Sequence, residues 1–221
     1  MPRRRRYGAS GLVFHVVNRG SRRGLLCEGE DEFQSFEQVL VEALDRHPIA
    51  LIEFCLMRNH FHLVVQPAND DQLADFMHWL TSTHATRWRK SNRTLGEGAV
   101  YQGRYKAIPV HTEEYFYTLV KYVHRNPVRA GAAARAEEWR WGSLWHRQNP
   151  PSRLHLAPWP LPKPDGWLDW VNQSQPINDV HDIRKSVNRS FPLGNQRWRK
   201  EVAHRLGIPD FERGRGRPKQ R

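Results

Sequence analysis

Cysteine is almost missing from this chain. Cys27 and Cys55 are the only two among 221 residues, and they stand far apart. That argues against a disulfide framework and against a zinc ribbon. Long apolar runs are missing too: no stretch approaches the ~20 residues of a membrane span. The opening Met-Pro-Arg-Arg-Arg-Arg has no apolar centre of the kind a secretory signal carries. No internal repeat is visible. Acidic residues are also in deficit. There are 23 Asp and Glu against 35 Lys and Arg, which leaves a formal charge of +12 and a pI near 10.3.

What remains is basic and aromatic. The surplus of Lys and Arg predicts a polyanionic partner, bound with release of its counterions. Nine tryptophans and six tyrosines accompany the charge, and aromatics among arginines suit stacking on unpaired bases. The expectation is a cytoplasmic, nucleoid-associated protein that binds nucleic acid and does not enter a membrane.

Residues 1–131 read as one compact domain. Gly11 to Asn18 alternates as a strand does. Glu30 to His47 places Phe33, Phe36, Val39, Leu40, Ala43 and Leu44 at helical spacing. Ile49 to Leu56 and His60 to Gln66 read as strands joined by a Met-Arg-Asn turn. A second helix starts after Asp70-Asp71 and runs to Trp88. Val100 to Val110 reads as a strand or hairpin, and Thr112 opens a third helix. The order β-α-β-β-α-β predicts an α+β fold of ferredoxin-like, RRM-like plan: an antiparallel sheet with helices on one face. Residues 132–221 form a C-terminal extension of different character. It is Trp-rich over 137–147 and Pro-rich over 149–167, with one or two short helices over 178–207 and a basic Gly-containing tail.

Within the apolar run LIEFCLMRNHFHLVVQP lies His60-Phe61-His62. Side chains alternate along a strand, so His60 and His62 share a face and Phe61 takes the other. Two imidazoles fixed side by side form a candidate metal-ligand pair. A complementary half is offered by EEYFYTLVKYVHRNPVRAG, which starts at Glu113. On a helix Tyr122 and Asn126 are i, i+4 neighbours, a phenol beside an amide. A hard ion, Mg²⁺ or Mn²⁺, accepts an amide oxygen together with imidazole and keeps water sites for phosphate. Pro127 disfavours helical geometry at Asn126, which places that residue at a kink or a helix end. His15, His78, His84, His111 and His124 are read as structural.

Together these segments resemble a known family. Met57-Arg58-Asn59-His60-Phe61-His62 and Tyr122-Val123-His124-Arg125-Asn126-Pro127-Val128-Arg129-Ala130-Gly131 are similar to the single-tyrosine HUH transposases, and within them to the REP-associated tyrosine transposases. His15-Val16-Val17-Asn18-Arg19-Gly20 resembles the family's first strand. Tyr101-Gln102-Gly103-Arg104-Tyr105-Lys106 resembles the strand before the catalytic helix, and Trp141-Gly142-Ser143 the segment after it. The stretch from Phe191 to Lys219 resembles the family's C-terminal extension. The tyrosine follows the histidine pair, unlike the order expected of relaxases. Three residues beyond it stands Arg125, where rolling-circle initiators typically carry lysine.

The resemblance implies single-strand DNA cleavage and rejoining. His60, His62 and Asn126 would hold one Mg²⁺ or Mn²⁺, and Tyr122 would attack a phosphodiester to give a 5′-phosphotyrosine and a free 3′-OH. The implied substrates are palindromic repeats that fold into DNA hairpins. The protein would act as a monomer or as a homodimer. For DNA binding, the basic residues to watch are Arg3, Arg4, Arg5 and Arg6 in an N-terminal arm, then Arg19, Arg104 and Lys106, and Arg213, Arg215, Arg217 and Lys219 in the tail. The competing expectation is a non-catalytic protein that binds hairpin DNA or RNA on the same fold.

Overall fold

A computed structural model of the chain describes residues 9–94, 96 and 98–208. The arginines at 3–6 and the basic residues at 213, 215, 217 and 219 lie outside the described residues. Four strands form one antiparallel sheet: β1 (Val13–Arg19), β2 (Ala50–Met57), β3 (His60–Gln66) and β4 (Lys106–Val110). Their order is β2-β3-β1-β4, as the split β-α-β-β-α-β plan requires. The segment 100–105 does not continue β4. It meets β1 only through an isolated bridge between Gly20 and Tyr101.

Two helices, α1 (Glu30–Arg46) and α2 (Gln72–Ser91), lie together on one face. The apolar stripe of α1 buries Phe33, Phe36, Val39, Leu40 and Ala43. These pack with Phe14, Val16, Leu51, Phe54, Leu56, Phe61, Leu63 and Val65 from the sheet. The first turn of α1 is acidic, and the Glu32 carboxylate accepts from the Gly29 amide at 2.9 Å, which suits the positive end of a helix.

The opposite face of the sheet is covered as well. Helix α3 (Thr112–His124) packs Phe116, Leu119, Val120 and Val123 against Val13, Ile52, Cys55, Val64, Ile108 and Val110. A short helix α4 (Asn126–Arg129) follows after a break at Arg125. The i→i−4 ladder resumes at once, Arg129 N to Arg125 O at 2.9 Å, so the proline perturbs the helix locally without ending it. Residues 132–208 then wrap this face through α5 (Ser143–Gln148), α6 (Trp167–Asn172), α7 (Ile177–Arg189) and α8 (Gln196–Arg205). Trp167, Val171, Ile183 and Leu193 complete the second core.

Both margins of the sheet are occupied by this wrap. Along β2, the Leu56 amide donates to Trp141 O at 2.8 Å and the Ala157 amide to Leu51 O at 2.8 Å. Along β4, the Leu193 amide donates to Pro109 O at 2.9 Å and the His111 amide to Leu193 O at 2.8 Å. Cys27 and Cys55 are both free and buried. Among the described residues, no helix is long and apolar enough to cross a membrane.

Candidate active site

The β2–β3 hairpin turns through only Arg58 and Asn59, pairing Met57 with His60. This turn is pinned from outside. The Gly20 amide donates to Asn59 O at 2.9 Å, and the Leu26 and Cys27 amides both donate to Arg58 O. Gly20 can be only glycine here, because a Cβ would sit 2.2 Å from the Gly24 carbonyl oxygen. A rigid turn in turn fixes the first residues of β3.

As the alternation predicts, Phe61 enters the α1–α2 core, its ring 5.2 Å from that of Phe36. His60 and His62 point to the other face, with ring centroids 5.0 Å apart. Across the sheet, Arg19 stands opposite His60 and Val17 opposite His62. Helix α3 lowers Tyr122 onto this pair. Its ring meets His62 edge-on at 5.7 Å and His15 at 6.3 Å. Asn126, at the start of α4, brings its amide nitrogen within 3.0 Å of His60 Nε2. The four residues that sequence placed in two distant segments therefore meet at one point of one chain.

The imidazoles are oriented from behind. His60 Nδ1–H donates to Asn59 Oδ1 at 2.7 Å, which leaves a lone pair on Nε2 facing Asn126. His62 Nδ1 lies 2.8 Å from His15 Nε2, the two rings stacked. His62 Nε2 is sealed from solvent and has no hydrogen-bond partner. Burial, then the cations Arg19 and Arg129, push His60 down to about 4. Burial, followed by His15 and His60, holds His62 well below the usual histidine range. Burial and His60 bring His15 to about 3. All three rings are neutral at neutral pH, the form that binds metal.

Among the described residues, no three His, Cys, Asp or Glu side chains gather to hold an ion. The donors here are two imidazoles and one amide. That set fits a divalent cation on two observations: His62 Nε2 is a buried nitrogen without a partner, and His60 Nε2 lies against an amide whose oxygen and nitrogen exchange places by a half-turn. The pairs Asn59–His60 and His15–His62 would serve as the outer contacts that orient such ligands.

The basic residues divide. Arg19 is exposed beside His60. Arg104 is exposed before β4, and it lines a groove with Asn18, Arg89 and Tyr105. Lys106 shares the His60 face, opposite Val17, but its ammonium donates to Val187 O at 2.8 Å and to Asn188 O at 3.3 Å. It thus holds the C-terminal end of α7. His84 donates to or accepts from Tyr101 in the first core, and His111 stacks on Trp198.

Sequence reasoning missed three groups. His15 reads as structural in the sequence, and in the fold its Nε2 lies 2.8 Å from His62 Nδ1, a contact the sequence did not announce. Arg129 lies over the Tyr122 ring, 4.1 Å from its centroid, and donates from Nη2 to Tyr122 O at 2.8 Å. Glu53, an acid inside an apolar strand, is fully buried. It accepts from His124 Nε2 at 2.9 Å, from Arg147 Nε at 2.9 Å and from the Trp159 indole. A lone carboxylate in the run LIEFCLM was the available signal for that network.

Comparison with known proteins is decisive for the family. The family model described as "Transposase IS200 like" matches residues 9–126, more than half of the 221. The chain belongs to the IS200-like transposase family. The matched span contains His60, His62, Tyr122 and Asn126. A relative in Haemophilus influenzae, provisionally named REP-associated tyrosine transposase, is 25% identical over 154 residues, covering 65% of this transposase and 85% of its own length. Two solved structures are similar in part. One, described as a REP-associated tyrosine transposase bound to a REP hairpin, is 20% identical and covers 66% of this chain and 84% of its own, with a TM-score of 0.49. The other, a provisionally named transposase from Deinococcus radiodurans, is 16% identical and covers 57% of this chain and 97% of its own, with a TM-score of 0.41. The family expected from the sequence is the family found.

Proposed function

We propose that this transposase is a metal-dependent single-strand DNA endonuclease and strand transferase. Its substrates would be hairpin-forming palindromic repeats, cut through a 5′-phosphotyrosine intermediate. The observation that carries the reading is the meeting of Tyr122 with His60, His62 and Asn126 on one chain, each imidazole braced by its own partner. The REP-associated name of the Haemophilus relative supports repeats as the substrate.

His60 Nε2, His62 Nε2 and the Asn126 amide oxygen would hold Mg²⁺ or Mn²⁺. When bound, such an ion polarises a phosphate oxygen and stabilises the charge that grows on it. Tyr122 supplies the nucleophile. Its hydroxyl oxygen bonds to phosphorus, the bond from phosphorus to the 3′ oxygen breaks, and that oxygen leaves as a 3′-OH after taking a proton from water. The phenolic proton goes to solvent. A later attack by a 3′-OH reverses the sequence, so rejoining needs no external energy. Helix α3 holds the ring edge-on to His62 in its own chain, which supports a complete site within one protomer.

A denaturing gel tests the proposal. Labelled single-stranded hairpin DNA is mixed with the protein, with Mn²⁺ or with EDTA, beside Tyr122→Phe. A metal-dependent covalent adduct absent from the variant is expected, with hairpin binding retained. Cleavage by Tyr122→Phe would refute the assignment of the nucleophile. Tight hairpin binding without any adduct would return the protein to the class of non-catalytic binders.

A further inference from the structure

Among the described residues, Arg129 is the cation that lies over the Tyr122 ring. It stands seven residues after Tyr122, two helical turns on, and so on the same side of the α3–α4 rod. Its guanidinium covers the Tyr122 ring at 4.1 Å. Nη2 is anchored on the Tyr122 carbonyl at 2.8 Å, which fixes the planar fork. Nη1 is sealed from solvent and has no hydrogen-bond partner. None of the ion pairs among the described residues includes Arg129. The neighbouring Arg125 also has a buried Nε without a partner, but its fork is occupied within the chain, Nη1 donating to Val171 O and Asn172 O in α6.

A guanidinium cannot shed its proton to escape burial, and a buried N–H left unpaired is costly. An acceptor that completes Nη1 would come from outside the chain, would lie beside the tyrosine and, opposite a fixed positive charge, is best supplied by an anion. A phosphate oxygen meets all three conditions, and guanidinium suits it in shape. The Tyr122 ring has Arg129 over its face and His62 at its edge, 5.7 Å between ring centroids, so a phosphate lying beside Tyr122 and that imidazole is next to the guanidinium.

We propose that Arg129 is a further catalytic residue of this transposase, donating from Nη1 to a non-bridging oxygen of the phosphate that Tyr122 attacks. The inference rests on the tyrosine chemistry proposed above. In that step the Tyr122 oxygen–phosphorus bond forms and the phosphorus–3′ oxygen bond breaks. Arg129 keeps its protons throughout and opposes the charge accumulating on the equatorial oxygens.

The test compares adduct formation on two hairpin substrates, one natural and one with a neutral methylphosphonate at the scissile linkage. The ratio of the two rates is measured within each of wild type, Arg129→Ala and Arg129→Lys, so that any loss of folded protein cancels. The ratio is expected to fall about 100-fold in Arg129→Ala, as for loss of one preorganised donor, and by less in Arg129→Lys. Added guanidinium ion is expected to restore part of the Arg129→Ala rate on the natural substrate. An unchanged ratio in Arg129→Ala, even with slower reaction on both substrates, would reduce Arg129 to a packing role and overturn the inference. Wild type that forms no adduct would overturn the parent reading and this one together. A wild-type adduct with an undiminished Arg129→Ala rate overturns this inference alone.

Discussion

Replacing Glu53 by glutamine would test how the second face of the sheet is held. The carboxylate is fully buried and surrounded only by donors: His124 Nε2, Arg147 Nε and the Trp159 indole. Burial alone would raise its pKa. The His124 imidazole and the Arg147 guanidinium overcome burial and bring it from the ordinary 4.5 to about 2. A depressed carboxyl stabilises the fold above its unfolded pKa, and that stability is lost as pH falls toward the folded value. A shift of this size is worth about 3 kcal/mol at pH 7. Structure gives a similar figure by another route. Glutamine turns an NH₂ group toward one of three donors and leaves that buried N–H without an acceptor, which costs about 1–3 kcal/mol. Urea denaturation of wild type and Glu53→Gln measures the gap. It should be near 3 kcal/mol at pH 7 and about 1.4 kcal/mol smaller at pH 3.5. In a thermal scan the same loss amounts to about 6–12 °C. A gap below about 1 kcal/mol at pH 7, or one that does not narrow toward pH 3.5, would refute the reasoning.

Other outcomes follow from the same geometry. His15→Phe removes the partner of His62 Nδ1 and should weaken Mn²⁺ binding about 10–100-fold in calorimetry; unchanged affinity would show that His62 needs no brace. Phe61→Ala empties a position only 1% exposed and should cost about 3–5 kcal/mol in denaturation, through lost transfer energy and a residual cavity; a cost near zero would mean that the first core collapses freely. Arg104→Ala should lower the salt slope of hairpin binding by about one. Lys106→Ala should leave that slope in place and reduce thermal stability, since its ammonium holds Val187 O and Asn188 O; the reverse pattern would put Lys106 on the DNA.

Much of the first layer was legible in the sequence because its signals are local. Alternation over His60-Phe61-His62 fixed which side chain meets which face, and the helical stripe from Phe33 to Ala43 found its core. Proline at 127 signalled the break that separates Tyr122 from Asn126. The second layer was illegible because its causes are not local. A bulge at Ile52, between the pairs Leu51–Val65 and Glu53–Val64, turns Glu53 onto the His60 face. No residue type in LIEFCLM announces that irregularity. Lys106 reads as a DNA-binding residue in the sequence, where nothing announces its carbonyl partners more than eighty residues away. His15 and Arg129 matter through contacts that exist only once β1, β3 and the α3–α4 rod are assembled.

The wrap along both margins of the sheet has a consequence for how far the protein can be cut down. An open strand edge is a template for a neighbour's strand, and proteins that leave one exposed tend to polymerise through it. Residues 140–157 close the β2 side, and Leu193 closes the β4 side. A chain shortened to the span shared with its family, ending near Asn126, would expose both rows of amides and carbonyls at once. It would also lose Arg147 and Trp159 from around a buried carboxylate that stays behind. The tyrosine, the histidines and the amide would all still be present, on a body with two adhesive edges and a carboxylate left with His124 alone of its three donors.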